Sequence, residues 1–156
     1  YFWGKELLGR VIEALREIEC DALVLTGVDA TAEDFSNVPE HVHLSGFVNQ
    51  AAVLQHADVV VHHGGAGTML GALARGLPAL TVGGGADRPF TGESLSRSGA
   101  GLGLEPDDAT AEAIGDALRS LLDDPSYRQR ATEIRDEIAA MPSPEEVVSR
   151  LETLAG

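Results

Sequence analysis

The chain is poor in several things at once, and each shortage removes a class of protein. It has one cysteine, Cys20, in 156 residues. A single thiol cannot close an intramolecular disulfide, so the fold must rest on its core, and a reducing cytoplasm is the expected setting. No apolar run approaches the roughly 20 residues of a membrane helix. The start, Tyr1-Phe2-Trp3-Gly4, lacks the charged and apolar regions of a signal peptide. Basic residues are scarce, 11 Lys and Arg against 25 Asp and Glu, for a net charge of −14. Such a surface repels nucleic acid phosphates and anionic lipid, so neither nucleic acid nor a membrane is expected as partner. A small nucleotide is not excluded, because backbone N–H groups at a helix N-terminus can hold a diphosphate whatever the total charge. The first residue is Tyr1 rather than Met, and the chain is expected to be an excised piece of a longer polypeptide.

What the chain does have is 44% hydrophobic residues and 18 glycines, several of them between Gly64 and Gly85. Residues 1–156 are expected to form one domain. Leu7, Leu8, Val11, Ile12, Leu15 and Ile18 recur at intervals of three and four, which predicts an amphipathic helix over Lys5 to Glu19. Ala22 to Thr26 reads as a strand buried on both faces, Val42 to Ser45 as a second, and Ala51 to Gln55 as a short helix. Asp58-Val59-Val60-Val61-His62 is the clearest buried strand. A helix carrying Met69 to Ala74, a strand over Pro78 to Val82, a helix over Glu93 to Ser98 and a strand over Gly101 to Leu104 follow. Ala111 to Leu122, Ser126 to Ala140 and Glu145 to Leu154 read as helices separated by Pro125, Pro142 and Pro144. Short strands alternating with helices specify a doubly wound, Rossmann-like α/β fold with a parallel sheet and helices on both faces. Ligands in such sheets bind at the carboxyl ends of strands, which singles out the loops after Ser45, His62 and Val82.

The middle loop, His62-His63-Gly64-Gly65-Ala66-Gly67-Thr68, carries the most chemistry. Its glycines let backbone N–H groups approach an anion where the helix macrodipole places partial positive charge. Thr68 adds a hydroxyl donor and a histidine a ring N–H. Glycine-rich strand-to-helix turns also recur simply because the turn is tight, and that alternative stands beside the phosphate reading. No Gly-Lys-Ser/Thr is present, so a P-loop is excluded. His62 and His63 should point to opposite sides of the strand, one buried and one available to a ligand. His41 and His43 have no supporting acidic or Cys motif, and no metal or other cofactor is expected.

A longer pattern surrounds that loop: Gly46-Phe47-Val48-Asn49-Gln50, Leu54, Ala57-Asp58, the seven residues from His62 to Thr68, Gly76-Leu77-Pro78, and Gly85-Ala86-Asp87-Arg88-Pro89-Phe90. In order and spacing it resembles the donor-binding signature of family 1 glycosyltransferases, and is most similar to bacterial members that decorate antibiotics and other natural products. The resemblance spans roughly Ser45 to Leu104. It implies the C-terminal, nucleotide-sugar half of a two-domain GT-B enzyme. Phe47 then stacks on the base or, alternatively, closes a core, and the backbone of Val48 faces the base edge. Gln50 lies near the ribose or serves as plain surface. His63 holds the diphosphate, with Gly64, Gly65, Ala66, Gly67 and Thr68 as its cradle. Asp87 accepts hydroxyls of the transferred sugar. Arg88 stands where the family has Gln and, being donor-only, reaches the diphosphate or pairs with Asp87. The helix has no acidic residue around Gly71, where the plant branch grips both ribose hydroxyls with a Glu, so a dTDP-sugar is favoured over a UDP-sugar.

The implied reaction is inverting transfer of the sugar to a small-molecule acceptor, with the departing diphosphate stabilised by N–H groups, the helix dipole and His63. The general base belongs to the acceptor domain, which this chain is expected to lack, together with a first strand before the Lys5 helix. Alone, the chain is expected to be inactive, with Val147, Val148, Leu151 and Leu154 partly exposed and inviting self-association. The competing readings are a noncatalytic nucleotide-binding module, the donor subunit of a split transferase, and an α/β interaction domain whose glycines are structural.

Overall fold

The computed structural model describes residues 4–27, 30–83 and 88–155. In chain order the elements are α1 (Lys5–Leu15), β1 (Ala22–Leu25), a single 3-10 turn (Ala32–Asp34), β2 (Val42–Ser45), α2 (Gln50–Leu54), β3 (Val60–His62), α3 (Ala66–Leu73), β4 (Ala79–Val82), α4 (Arg88–Ser98), β5 (Gly101–Leu104), α5 (Ala111–Asp123), α6 (Pro125–Ala139) and α7 (Pro144–Ala155). All pairings are parallel: Ala22 faces Val42 in the first sheet, and Val60 faces Ala79, which faces Gly101, in the second. The expected single sheet is thus divided in two among the described residues, β1-β2 and β3-β4-β5.

The two sheets nevertheless share one core. Val24 and Val42 from the first and Leu80 and Val82 from the second pack in one buried cluster with Leu8, Val11 and Ile12 of α1 and Ile114, Leu118 and Leu121 of α5. β4 is buried along its whole length, as befits the middle strand of its sheet, and each such Leu or Val contributes roughly 1.5–3 kcal/mol by leaving water. A second cluster, Leu73, Ala79, Leu95, Ala100 and Ala131, lies where α3, α4 and α6 meet the sheet.

Glycine is required where α4 lies on β5. A Cβ at Gly101 would stand 2.1 Å from the Ala79 carbonyl oxygen, and one at Gly103 would stand 2.9 Å from that of Gly92. Helix starts are fixed by side-chain caps. Asn49 accepts from the Ala51 and Ala52 amides, Thr110 from Ala113, and Asp124 from Ser126 ahead of a helix with proline in its first turn.

Two expectations are corrected. α1 stops at Leu15 instead of Glu19; the chain tightens into i→i+3 bonds, Arg16 N–H to Glu13 and Ile18 N–H to Leu15. Glu17 and Glu19 would have set negative charge at the negative end of the helix dipole. β1 is not buried on both faces, since Leu23 and Leu25 remain 43% and 42% exposed. The apolar face of α7 is exposed as expected, from 40% at Val147 to 84% at Leu154. No helix among the described residues is long and apolar enough to cross a membrane.

Candidate functional site

β3 ends at His62, and the two histidines separate as strand alternation requires. His62 is 4% exposed. Its Nδ1 accepts the Gly64 amide at 3.1 Å, so the neutral ring carries its proton on Nε2, which donates to the Thr81 hydroxyl at 3.2 Å on the neighbouring strand. Burial first, and the neighbouring His63 second, depress its pKa from 6.5 to about 4. Both ring nitrogens are therefore used in bracing the loop against β4. This structural role was not foreseen from the sequence, where the only signal was the pairing of two histidines at a strand end.

His63 takes the other side and is half-buried. A Cβ on Gly65 would lie 2.8 Å from His63 Nε2, so the glycine makes room for an imidazole that rests against the start of α3. Gly64 is buried at φ 92°, a left-handed backbone that favours glycine. Gly65 is the N-cap of α3 and has no side chain to satisfy the first turn. Its carbonyl takes the Thr68 and Met69 amides at 3.1 Å. The Ala66 and Gly67 N–H groups make no hydrogen bond among the described residues, and both residues are exposed, with Thr68 half-buried beside them. Donors at the positive end of a helix suit an anion.

The loop after β2 comes to the same place. α2 packs on α3; the Gln50 amide nitrogen lies 3.6 Å from where a Gly71 Cβ would be, and Arg75 ties the Gly71 carbonyl to that of Ala51. Phe47 is 89% exposed, which removes the core alternative. Val48 is half-buried and Gln50 is exposed at the first position of α2. Asp87 lies outside the described residues, as does the side chain of Arg88, whose backbone opens α4. The structure thus brings Gln50 and α2 against the helix that the Gly64–Thr68 turn opens, and His63 against the start of that helix. Among the described residues, no group of three or more His, Cys, Asp or Glu side chains gathers.

Residues 9–154 match the family described as Erythromycin biosynthesis protein CIII-like, C-terminal domain. The chain belongs to this family. Among its relatives, the erythronolide mycarosyltransferase of Saccharopolyspora erythraea is 37% identical over 85% of this chain and 31% of its own length. The 10-deoxymethynolide desosaminyltransferase of Streptomyces venezuelae is 33% identical over 94% of this chain and 34% of its own. The chain therefore spans about a third of the curated relatives it matches. Among solved structures, the glycosyltransferase VinC in complex with dTDP superposes with a TM-score of 0.85 at 32% identity, over 94% of this chain and 37% of that one. The spinosyn forosaminyltransferase SpnP superposes equally well, 0.85 at 29% identity, over 96% and 38%. The fold is that of the C-terminal domain of GT-B glycosyltransferases, and members of the family serve antibiotic biosynthesis.

Proposed function

We propose that this chain is the donor-binding part of an inverting glycosyltransferase that moves a sugar from a nucleoside diphosphate, dTDP in preference to UDP, to a small natural-product acceptor. The observation that carries the reading is the turn from Gly64 to Thr68, with N–H groups at Ala66 and Gly67 that make no hydrogen bond among the described residues, and the exposed ring of Phe47 on the loop after β2. In this reading a diphosphate lies at the helix end and a base on the aromatic face. Support for thymidine comes from the relative whose structure holds dTDP and from the absence of an acidic residue in α3 around Gly71.

In this reading the bonding pair leaves with the diphosphate as the anomeric bond breaks, and the negative charge that builds there is stabilised by the Ala66 and Gly67 amides, the Thr68 hydroxyl, the α3 dipole and His63. These donors are in place before reaction and need no reorganisation. Asp87 holds sugar hydroxyls, and Arg88 adds charge near the diphosphate. The reading assigns leaving-group stabilisation to protein groups without a metal, and the general base to an acceptor domain that packs against this one. A stand-alone donor subunit would bind nucleotide and transfer sugar only when that second domain is supplied.

Thermal unfolding with dTDP, UDP and GDP in turn tests the proposal. A ligand at about 100 times its Kd adds about 2.7 kcal/mol, or roughly 5–10 °C for a domain of this size. The expected order is dTDP above UDP above GDP, with the dTDP shift lost in His63→Ala. Equal shifts for all three would refute the thymidine preference. No shift for any, in a polypeptide that also carries the acceptor domain, would refute donor binding.

A further inference from the structure

A polar pair sits under the glycine-rich turn, in surroundings that are otherwise apolar. β4 reads Ala79-Leu80-Thr81-Val82 and is buried throughout, so Thr81, at 1% exposure, is a hydroxyl set in an apolar strand. It lies directly across from His62 in the parallel register, with Oγ1 3.2 Å from the ring Nε2. A backbone N–H can only donate, so the Gly64 amide fixes Nδ1 as an acceptor and leaves the proton of the neutral ring on Nε2. The Thr81 hydroxyl therefore accepts. An apolar pair of the same shape would fill this space at similar stability, and packing alone does not call for a histidine and a threonine here. We propose that His62 and Thr81 are positioning residues for the donor: their hydrogen bonds fix the Gly64 peptide, and through it the amides that meet the diphosphate, while neither side chain touches the donor. The assignment rests on the proposed function.

The restraint passes from strand to loop in two steps. Gly64 is buried at φ 92°, and glycine has several backbone wells open to it, so its orientation must be selected by a contact. The 3.1 Å bond from its amide to Nδ1 does this. It closes a ring from the side chain of one residue to the amide two residues on, the pattern by which Asn and Asp hold turns. Gly65 follows as the N-cap of α3, with the Ala66 and Gly67 amides next, so a rotation of the Gly64 peptide would swing these donors together. Thr81 holds the imidazole in turn. A Cβ on Gly92 would lie 3.6 Å from the Thr81 methyl, which places that methyl against α4 while the hydroxyl meets His62. A β-branched side chain has few χ1 choices, and these two contacts settle which one it takes. The turn after β3 and the helix after β4 are thus tied through one threonine.

Four variants test the assignment by calorimetric titration with dTDP, with melting temperature and Gly64 amide exchange followed in each. Thr81→Val keeps the shape and removes the hydroxyl; His62→Phe keeps a ring and removes both nitrogens. Both should bind dTDP about tenfold more weakly, and their Gly64 amide should exchange at least about tenfold faster. Thr81→Ser retains the hydroxyl, and His62→Asn retains an acceptor for Gly64, so these should stay within about threefold of the wild-type Kd. Thr81→Ser gives up a buried methyl and His62→Asn the contact with Thr81. Both should therefore melt lower, and a role confined to stability would weaken their binding as well. The assignment is overturned if Thr81→Val or His62→Phe binds dTDP as the wild type does, or if the four affinities follow melting temperature instead of the hydrogen-bonding groups. In either case the wild type still binds, and the nucleotide reading stands. A wild type that binds no dTDP, even with the acceptor domain joined to it, would sink the nucleotide reading and this role together.

Discussion

Lowering the pH from 7 to about 4 should cost this fold roughly 3 kcal/mol through His62 alone. The folded protein holds that ring neutral, with a pKa near 4 against 6.5, first because it is buried and second because His63 lies beside it; in that form Nδ1 accepts the Gly64 amide. The unfolded chain protonates the same histidine below pH 6.5. Between the two values the unfolded state binds more protons, so stability rises with pH; it is fully present above about 6.5 and lost as pH falls to about 4. One proton carries about 1.4 kcal/mol per pH unit, and the window spans somewhat more than two units. Urea unfolding from pH 7.5 to 4 measures this directly. His62→Asn offers an amide oxygen to Gly64 but cannot titrate. It should lose about 1 kcal/mol or more at pH 7, where the Thr81 contact is gone, and show a shallower pH slope by up to one proton. Exposed carboxylates contribute equally to both proteins and cancel in the difference. An identical slope in the two would refute the claim that His62 is the buried neutral brace of the loop.

Two substitutions separate ligand binding from packing. Phe47→Ala should leave stability within about 0.5 kcal/mol, since the ring is already in water, while weakening dTDP by roughly tenfold or more in calorimetry through loss of base stacking; an unchanged Kd would remove Phe47 from the site. Gly101→Ala should cost about 3 kcal/mol or more in thermal unfolding, because its methyl would meet the Ala79 carbonyl and Leu95. Gly67→Ala meets nothing within 4 Å and should be nearly neutral, so equal stability of the two variants would contradict the packing of α4 on β5.

Much of this was legible in order and spacing. The period of α1 and the apolar runs of β1 to β5 are local signals, and local backbone preference reads them out. The His62–Thr68 turn was legible because glycines between a strand and a helix restrict what the backbone can do. The sequence also carried the family, since its motifs keep their intervals. Other questions depend on what arrives from a distance. Whether Phe47 is core or surface is decided by how little the rest of the fold covers it, which leaves the ring 89% exposed. Which histidine is buried turns on Thr81, nineteen residues later in the chain and one strand away. The division of the sheet between β1 and β3 could not be seen in either strand, because a strand's composition records how apolar its surroundings are and not which neighbour occupies each edge. By itself the sequence determined the elements, the glycine-rich turn and the kinship; only the tertiary structure decided which ring is committed to the scaffold, how exposed Phe47 is and how the described strands divide between two sheets, because those follow from contacts between segments far apart along the chain.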